Sequence, residues 1–121
     1  MKYLLIGKNG YVRKKFFLLP KLKNNLISIG RDSFNYYDRK LLGEFITQNQ
    51  IAFVINAAGY TGKPNVDACE VDKAECLSGN AVLPGIIREV CEDLNITWGH
   101  VSSGCIYSGI RPNGKGWAED D

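Results

Sequence analysis

Apolar positions in this chain follow two rhythms: short unbroken runs, and stripes spaced three or four residues apart. The runs fall at Lys2 to Ile6 ("KYLLI"), "NNLISIG", "IAFVINAAG" and "ITWGHVSS", and each reads as a strand. The third is continuously apolar, as a strand covered on both faces should be. "YVRKKFFLL" has helical spacing up to Pro20, which should stop a first helix. "YDRKLLGEFITQNQ" places Leu41, Leu42, Phe45 and Ile46 on one stripe, giving a second helix. Helical pattern surrounds "VDACEVDKAECL" and runs again from Asn80 to about Asp93. Strands alternating with helices predict an α/β fold: a Rossmann-type doubly wound parallel sheet, truncated after its fourth main strand.

In such sheets ligands sit at the carboxyl ends of the strands. Those ends carry the unusual residues of this chain: "GKNG", "GRD", "NAAGYTG" and "SSGCIY". The first, Gly7 to Gly10, is either a turn whose amides approach a pyrophosphate or a plain strand-to-helix turn. Arg31, after the second strand, suits the 2′-phosphate of NADP, whereas Asp32 beside it keeps NAD open. Ala57, Ala58 and Gly59 leave room for a cofactor against the backbone, or for close packing of helix on strand. Ser103 and Cys105 share a face of an extended strand, so both could point into one crevice. There the serine could hydrogen-bond a carbonyl, and the cysteine could move a proton or be a buried structural thiol.

Composition removes several classes of function. With 121 residues the chain fits one domain, and 45% hydrophobic with 23% charged residues is ordinary for a soluble protein. A net charge of +2 is too small to argue for nucleic acid or an anionic membrane. No apolar run approaches a membrane span, and "YLLI" gives way at once to glycine and charge, unlike a signal peptide. Cys69, Cys76, Cys91 and Cys105 show neither a CxxC pair nor zinc spacing, and His100 is the only histidine. The expectation is a cytoplasmic protein without a structural metal, with Cys69, Cys76 and Cys91 as reduced, buried structural thiols.

"FVINAAGYTGKPNVDACE", together with "LLIGKNG" and "SSGCIYSG", resembles the extended short-chain dehydrogenase/reductase superfamily. Within it the run is similar to the UDP-4-keto-6-deoxyglucose 3,5-epimerase/4-reductases of L-rhamnose synthesis. dTDP-4-dehydrorhamnose reductase and GDP-fucose synthase are near relatives. The resemblance implies an NADP(H)-dependent reductase and epimerase acting on a UDP- or dTDP-linked 4-keto-6-deoxy sugar. It assigns Gly7, Lys8, Asn9, Gly10, Tyr11 and Val12 to the phosphate turn and Arg31 to the 2′-phosphate. Ala57, Ala58 and Gly59 would line the nicotinamide side, with Thr61 and Asn80 near the cofactor. Ser103 would belong to a catalytic Ser/Thr–Tyr–Lys set, and Cys105 would serve the epimerisation.

Two positions depart from that pattern. Arg13 stands where a third glycine is usual, and its bulk should push the first helix off the strands unless the side chain reaches solvent or the phosphates. The family's Tyr-x-x-x-Lys pair follows the serine strand and is absent here. Tyr11/Lys15 and Tyr36/Lys40 match the spacing by chance, too early in the chain. Residues 1–121 therefore read as an NAD(P)-binding domain without its substrate domain, with little or no reductase turnover expected alone. The alternative is a catalytically inactive fragment that serves as a nucleotide-binding or protein-interaction module. The fourth strand should lie at an exposed edge and favour a homodimer.

Overall fold

The computed structural model describes residues 1–102, 109–118 and 120. Four parallel strands form one sheet in the order β2-β1-β3-β4, with β1 Lys2–Ile6, β2 Leu26–Ile29, β3 Ile51–Asn56 and β4 Thr97–His100. The ends are level, because Ile6 pairs with both Ile29 and Asn56, and Asn56 pairs with His100. The path from β1 to β2 runs one way along the sheet, and the path from β2 to β3 crosses back over β1. The crevice where the direction reverses therefore opens between the ends of β1 and β3.

One face of the sheet is covered by helices and the other is covered in part, leaving an apolar groove along Phe53, Ile55 and Gly99, and alternation along each strand decides which side chain goes where. Leu4, Ile6 and Val54 face α3 (Arg39–Gln48) and α5 (Leu83–Asp93), where they meet Leu42, Ile46, Ile87 and Val90. Leu5, Leu26 and Ile55 face the other way, toward Phe16 and Phe17 around α1 (Tyr11–Phe16). Asp38 caps α3 by accepting the Leu41 amide at 3.1 Å. Of the expected stripe on α3, Leu42 and Ile46 are fully buried and Phe45 packs at the margin. Leu41 turns outward and is 41% exposed.

Three local features differ from the sequence-based expectation. The first helix stops at Phe16 rather than reaching Pro20. Proline disfavours helical geometry in the residue before it, and Leu19 is extended (φ −84°, ψ 113°). Pro20 instead starts α2 (Pro20–Lys23), and the amides of Leu18 and Leu19 close the end of α1 on the Lys15 and Phe16 carbonyls. Next, the two later helical stretches are one continuous run: α4 (Lys73–Leu77), a π turn at Ser78–Val82, then α5. The π turn precedes Pro84, which has no N–H to give the Asn80 carbonyl. Lastly, Cys69 and Cys76 are joined by a disulfide, not held as reduced thiols. A 3-10 turn at Val66–Glu70 followed by α4 brings their Cα atoms to 5.6 Å, within bonding geometry. Cys91 is buried and free, and burial pushes its thiol up to about 11, so it stays protonated at neutral pH.

Arg13 is half-buried and its side chain turns back toward β2. Its Nε donates to Ser28 Oγ on β2 at 3.1 Å, and its guanidinium lies 4.7 Å from the centre of the Phe17 ring. The serine and the ring take up the bulk that a third glycine would avoid.

Truncating Leu42 to alanine removes a fully buried side chain and is expected to cost ~2–5 kcal/mol. The outward-facing Leu41→Ala should stay within about 0.5 kcal/mol of the parent. Urea denaturation of the two variants checks this pair of outcomes.

Candidate functional site at the strand ends

The site is built from three strand ends. Gly7 ends β1 with φ +121°, and a Cβ there would lie 2.9 Å from the Ala57 carbonyl carbon and oxygen. Only glycine allows β1 to leave the sheet so close to the backbone of β3. The amides of Gly7 and Lys8 both donate to the Ile29 carbonyl at 3.0 Å, and the Gly10 amide donates to Gly7 at 3.1 Å. These bonds bind the turn to β2. At Gly10 a Cβ would make only an ordinary 3.5 Å contact with the Gly7 carbonyl oxygen.

At the end of β2, Gly30, Arg31 and Asp32 face the glycine turn. Lys8 Nζ donates to Asp32 Oδ2 at 3.1 Å, closing an ion pair across the turn. This hydrogen bond and charge from Lys8 hold the Asp32 carboxyl below the usual carboxylate range. The pair is therefore present at neutral pH and is lost as pH falls through the lowered folded value. Behind Arg31 the buried Tyr36 is pushed up mainly by desolvation, with the Arg31 guanidinium pulling the other way.

At the end of β3, Asn56 is the one buried polar side chain in the core of the described residues. Its Oδ1 accepts the Ala58 amide at 3.1 Å, so its Nδ2 is the donor to His100 Nδ1 at 3.0 Å. That arrangement puts the proton of a neutral His100 on Nε2. The next residues are held from the π turn. Asn80 Oδ1 accepts the Tyr60 amide at 2.9 Å, and Asn80 Nδ2 donates to the Tyr60 carbonyl at 2.8 Å. The Tyr60 hydroxyl donates to Asp72 at 2.7 Å, which pushes its own titration up. Space beside this clamp is tight: a Cβ at Gly59 would sit 3.1 Å from Asn80 Oδ1, and one at Gly79 3.1 Å from Tyr60 Cβ.

The three ends enclose a cleft of about 460 Å³. Of the residues singled out from the sequence, Gly7, Lys8, Asn9, Gly10, Arg31, Ala57, Ala58 and Gly59 line it. Tyr11 and Val12 lie on the first turn of α1 beside it, and Thr61 lies on the exposed loop beyond Tyr60. Asn80 acts on the cleft through Tyr60. Ser103 and Cys105 lie outside the described residues. Sequence reading missed Tyr36, Tyr37, Gly79 and Leu83 as parts of the wall. Tyr37, whose hydroxyl donates to the Ser78 carbonyl at 3.3 Å, carries no motif to mark it. Gly79 could have been suspected, being a glycine within a helical run. Among the described residues no cluster of His, Cys, Asp and Glu could hold a metal ion, and no helix is long and apolar enough to cross a membrane.

The cleft is able to take an elongated anionic ligand. Its floor is backbone and methyl groups, its β2 side carries Lys8 and Arg31, and the first-turn amides of α1 have no helical acceptor. Gly7→Ala is expected to cost about 1–3 kcal/mol from backbone conformation alone, with more from the clash with Ala57. Gly10→Ala, whose Cβ meets only an ordinary contact, should keep close to the parent stability in the same thermal or urea melts.

Comparison with known proteins gives a consistent result. The family model described as the RmlD substrate binding domain matches residues 1–121. A trifunctional UDP-glucose 4,6-dehydratase/UDP-4-keto-6-deoxy-D-glucose 3,5-epimerase/UDP-4-keto-L-rhamnose-reductase of Arabidopsis thaliana is 30% identical over 118 residues, 96% of this chain and 17% of that protein. The UDP-rhamnose synthase L780 of Acanthamoeba polyphaga mimivirus superposes with a TM-score of 0.78 at 22% identity, over 100% of this chain and 44% of that one. A dTDP-4-dehydrorhamnose reductase of Bacillus anthracis, solved in complex with NADP, gives a TM-score of 0.69 at 13% identity, covering 80% of this chain and 34% of that one. The chain thus spans less than half the length of each.

Proposed function

Because the chain belongs to the RmlD substrate binding domain family, we propose that residues 1–121 are the cofactor-binding part of an NADP(H)-dependent nucleotide-sugar reductase and epimerase. The substrate proposed is a UDP- or dTDP-linked 4-keto-6-deoxy sugar in L-rhamnose synthesis. On the same reading the protein is cytoplasmic. The observation that carries the proposal is the meeting of Gly7 with the Ala57 backbone at the point where the sheet reverses direction. That contact leaves a floor of backbone and methyl groups with cations at one end, which fits a dinucleotide pyrophosphate flanked by a phosphorylated ribose.

The fit can be stated residue by residue. Gly7 and Gly10 would let the pyrophosphate approach the turn, with Asn9 and the amides of Tyr11 and Val12 as donors. Arg31 would meet the 2′-phosphate. Ala57, Ala58 and Gly59 would pass under the nicotinamide end, held in place by Asn56 and Asn80. Thr61 would lie at the edge nearest the sugar. NADPH, when bound, supplies the hydride that reduces the C4 keto group. Ser103 is proposed to hydrogen-bond that carbonyl oxygen, and Cys105 to move the proton at the adjacent carbon during epimerisation. Both assignments rest on the resemblance of "SSGC" to the family.

Support for NADP comes from the cationic β2 end and from the named complex of the Bacillus anthracis reductase. Calorimetric titration of the chain should show NADPH binding at least about tenfold tighter than NADH, ~1.4 kcal/mol. Failure to bind either dinucleotide would remove the proposal, and a preference for NADH would overturn the role given to Arg31.

A further inference from the structure

Three charged groups meet at the β2 end of the cleft: Lys8 from the glycine turn, and Arg31 and Asp32 from the end of β2. They are not equivalent. Lys8 and Asp32 are 24 residues apart in sequence, yet their side chains are joined at 3.1 Å. The fold makes room for this pair. A Cβ at position 30 would stand 3.0 Å from Asp32 Oδ1 and 3.1 Å from Lys8 Cβ, so Gly30 allows the two side chains to converge over it. The backbone of Asp32 lies within a turn closed by the Ser33 amide on the Gly30 carbonyl at 3.0 Å and by the Gly30 amide on Ser33 Oγ at 3.1 Å. Arg31 is turned differently, beside the hydroxyl of the buried Tyr36 on the cleft wall.

A carboxylate at the end of the second strand does two things to a dinucleotide. It accepts hydrogen bonds from a ribose diol, and it repels a phosphate on the 2′ oxygen. Both depend on the carboxylate being free. Here the Lys8 ammonium takes up one Asp32 oxygen and cancels its charge.

We propose that the Lys8–Asp32 ion pair, rather than Arg31 alone, determines which dinucleotide this cleft accepts. Lys8 masks Asp32 as a ribose-diol acceptor and leaves a net positive charge of one where a 2′-phosphate would lie. Loss of Lys8 releases the carboxylate, converting the same cleft to one that favours an unphosphorylated ribose. This deepens the functional proposal above and rests on it.

The test uses the full 121-residue chain and measures affinity, not turnover. Calorimetry with 2′,5′-ADP and 5′-AMP isolates the 2′-phosphate, and NADPH with NADH gives the same comparison on whole cofactors. The parent chain is expected to favour the 2′-phosphorylated member of each pair. Lys8→Met should lower that preference by about tenfold or more, partly through tighter binding of 5′-AMP and NADH. Adding Asp32→Asn to Lys8→Met should restore most of it, because the released carboxylate is then gone. A Lys8→Met chain whose preference stays within about twofold of the parent overturns the inference while leaving the functional proposal standing. Failure of Asp32→Asn to restore any preference overturns the masking role. Binding of none of the four ligands by the parent overturns this inference together with the proposal beneath it.

Discussion

The approach of the Gly7 backbone to Ala57 is the constraint on which the rest of the architecture depends. A parallel sheet whose first strand lies between the second and third must let β1 exit where β3 also ends. In this chain the exit is so close to Ala57 that even a methyl group would not fit. The same closeness draws the glycine turn over β2, where the Ile29 carbonyl receives two of its amides. Cleft and turn thus meet at one backbone contact that the sheet order requires.

What faces that contact is held by amide side chains rather than by hydrophobic burial. Asn56 satisfies the first amide after β3 and reaches across to His100 on β4, so two strand ends are locked by one buried group. Asn80 does the same for Tyr60 from the π turn, giving both backbone groups of that residue a partner. A buried amide left unpaired costs roughly 1–3 kcal/mol, so the fully buried Asn56 specifies a single path for the loop after β3, while the exposed Asn80 adds two directed bonds to Tyr60. The disulfide between Cys69 and Cys76 lies behind this clamp, with Asn80 Nδ2 also 3.4 Å from Cys76 Sγ.

The two inner strands, β1 and β3, were legible because unbroken apolar runs reflect burial on both faces, and the edge strands β2 and β4 followed from the alternation with helices. The strand-end glycines and small residues were legible for the same reason: the doubly wound fold leaves few other uses for them there. What escaped sequence reading depends on partners far along the chain. Arg13, on α1, could not be resolved without Ser28, which lies 15 residues away on β2. The Lys8–Asp32 pair needs two turns to close on each other before it exists. The outward turn of Leu41 depends on which side of α3 meets the core, and helical spacing alone does not record that. The Cys69–Cys76 bond depends on a 3-10 turn that no apolar period marks.

Amide resonances of the chain, followed while NADPH is added, test the central claim most directly. The account predicts shifts concentrated at Gly7–Val12, Gly30–Asp32 and Ala57–Tyr60, with the outer groove between α3 and α5 around Gly43 and Leu94 unchanged. Shifts confined to that outer groove, or none at saturating NADPH, would contradict it.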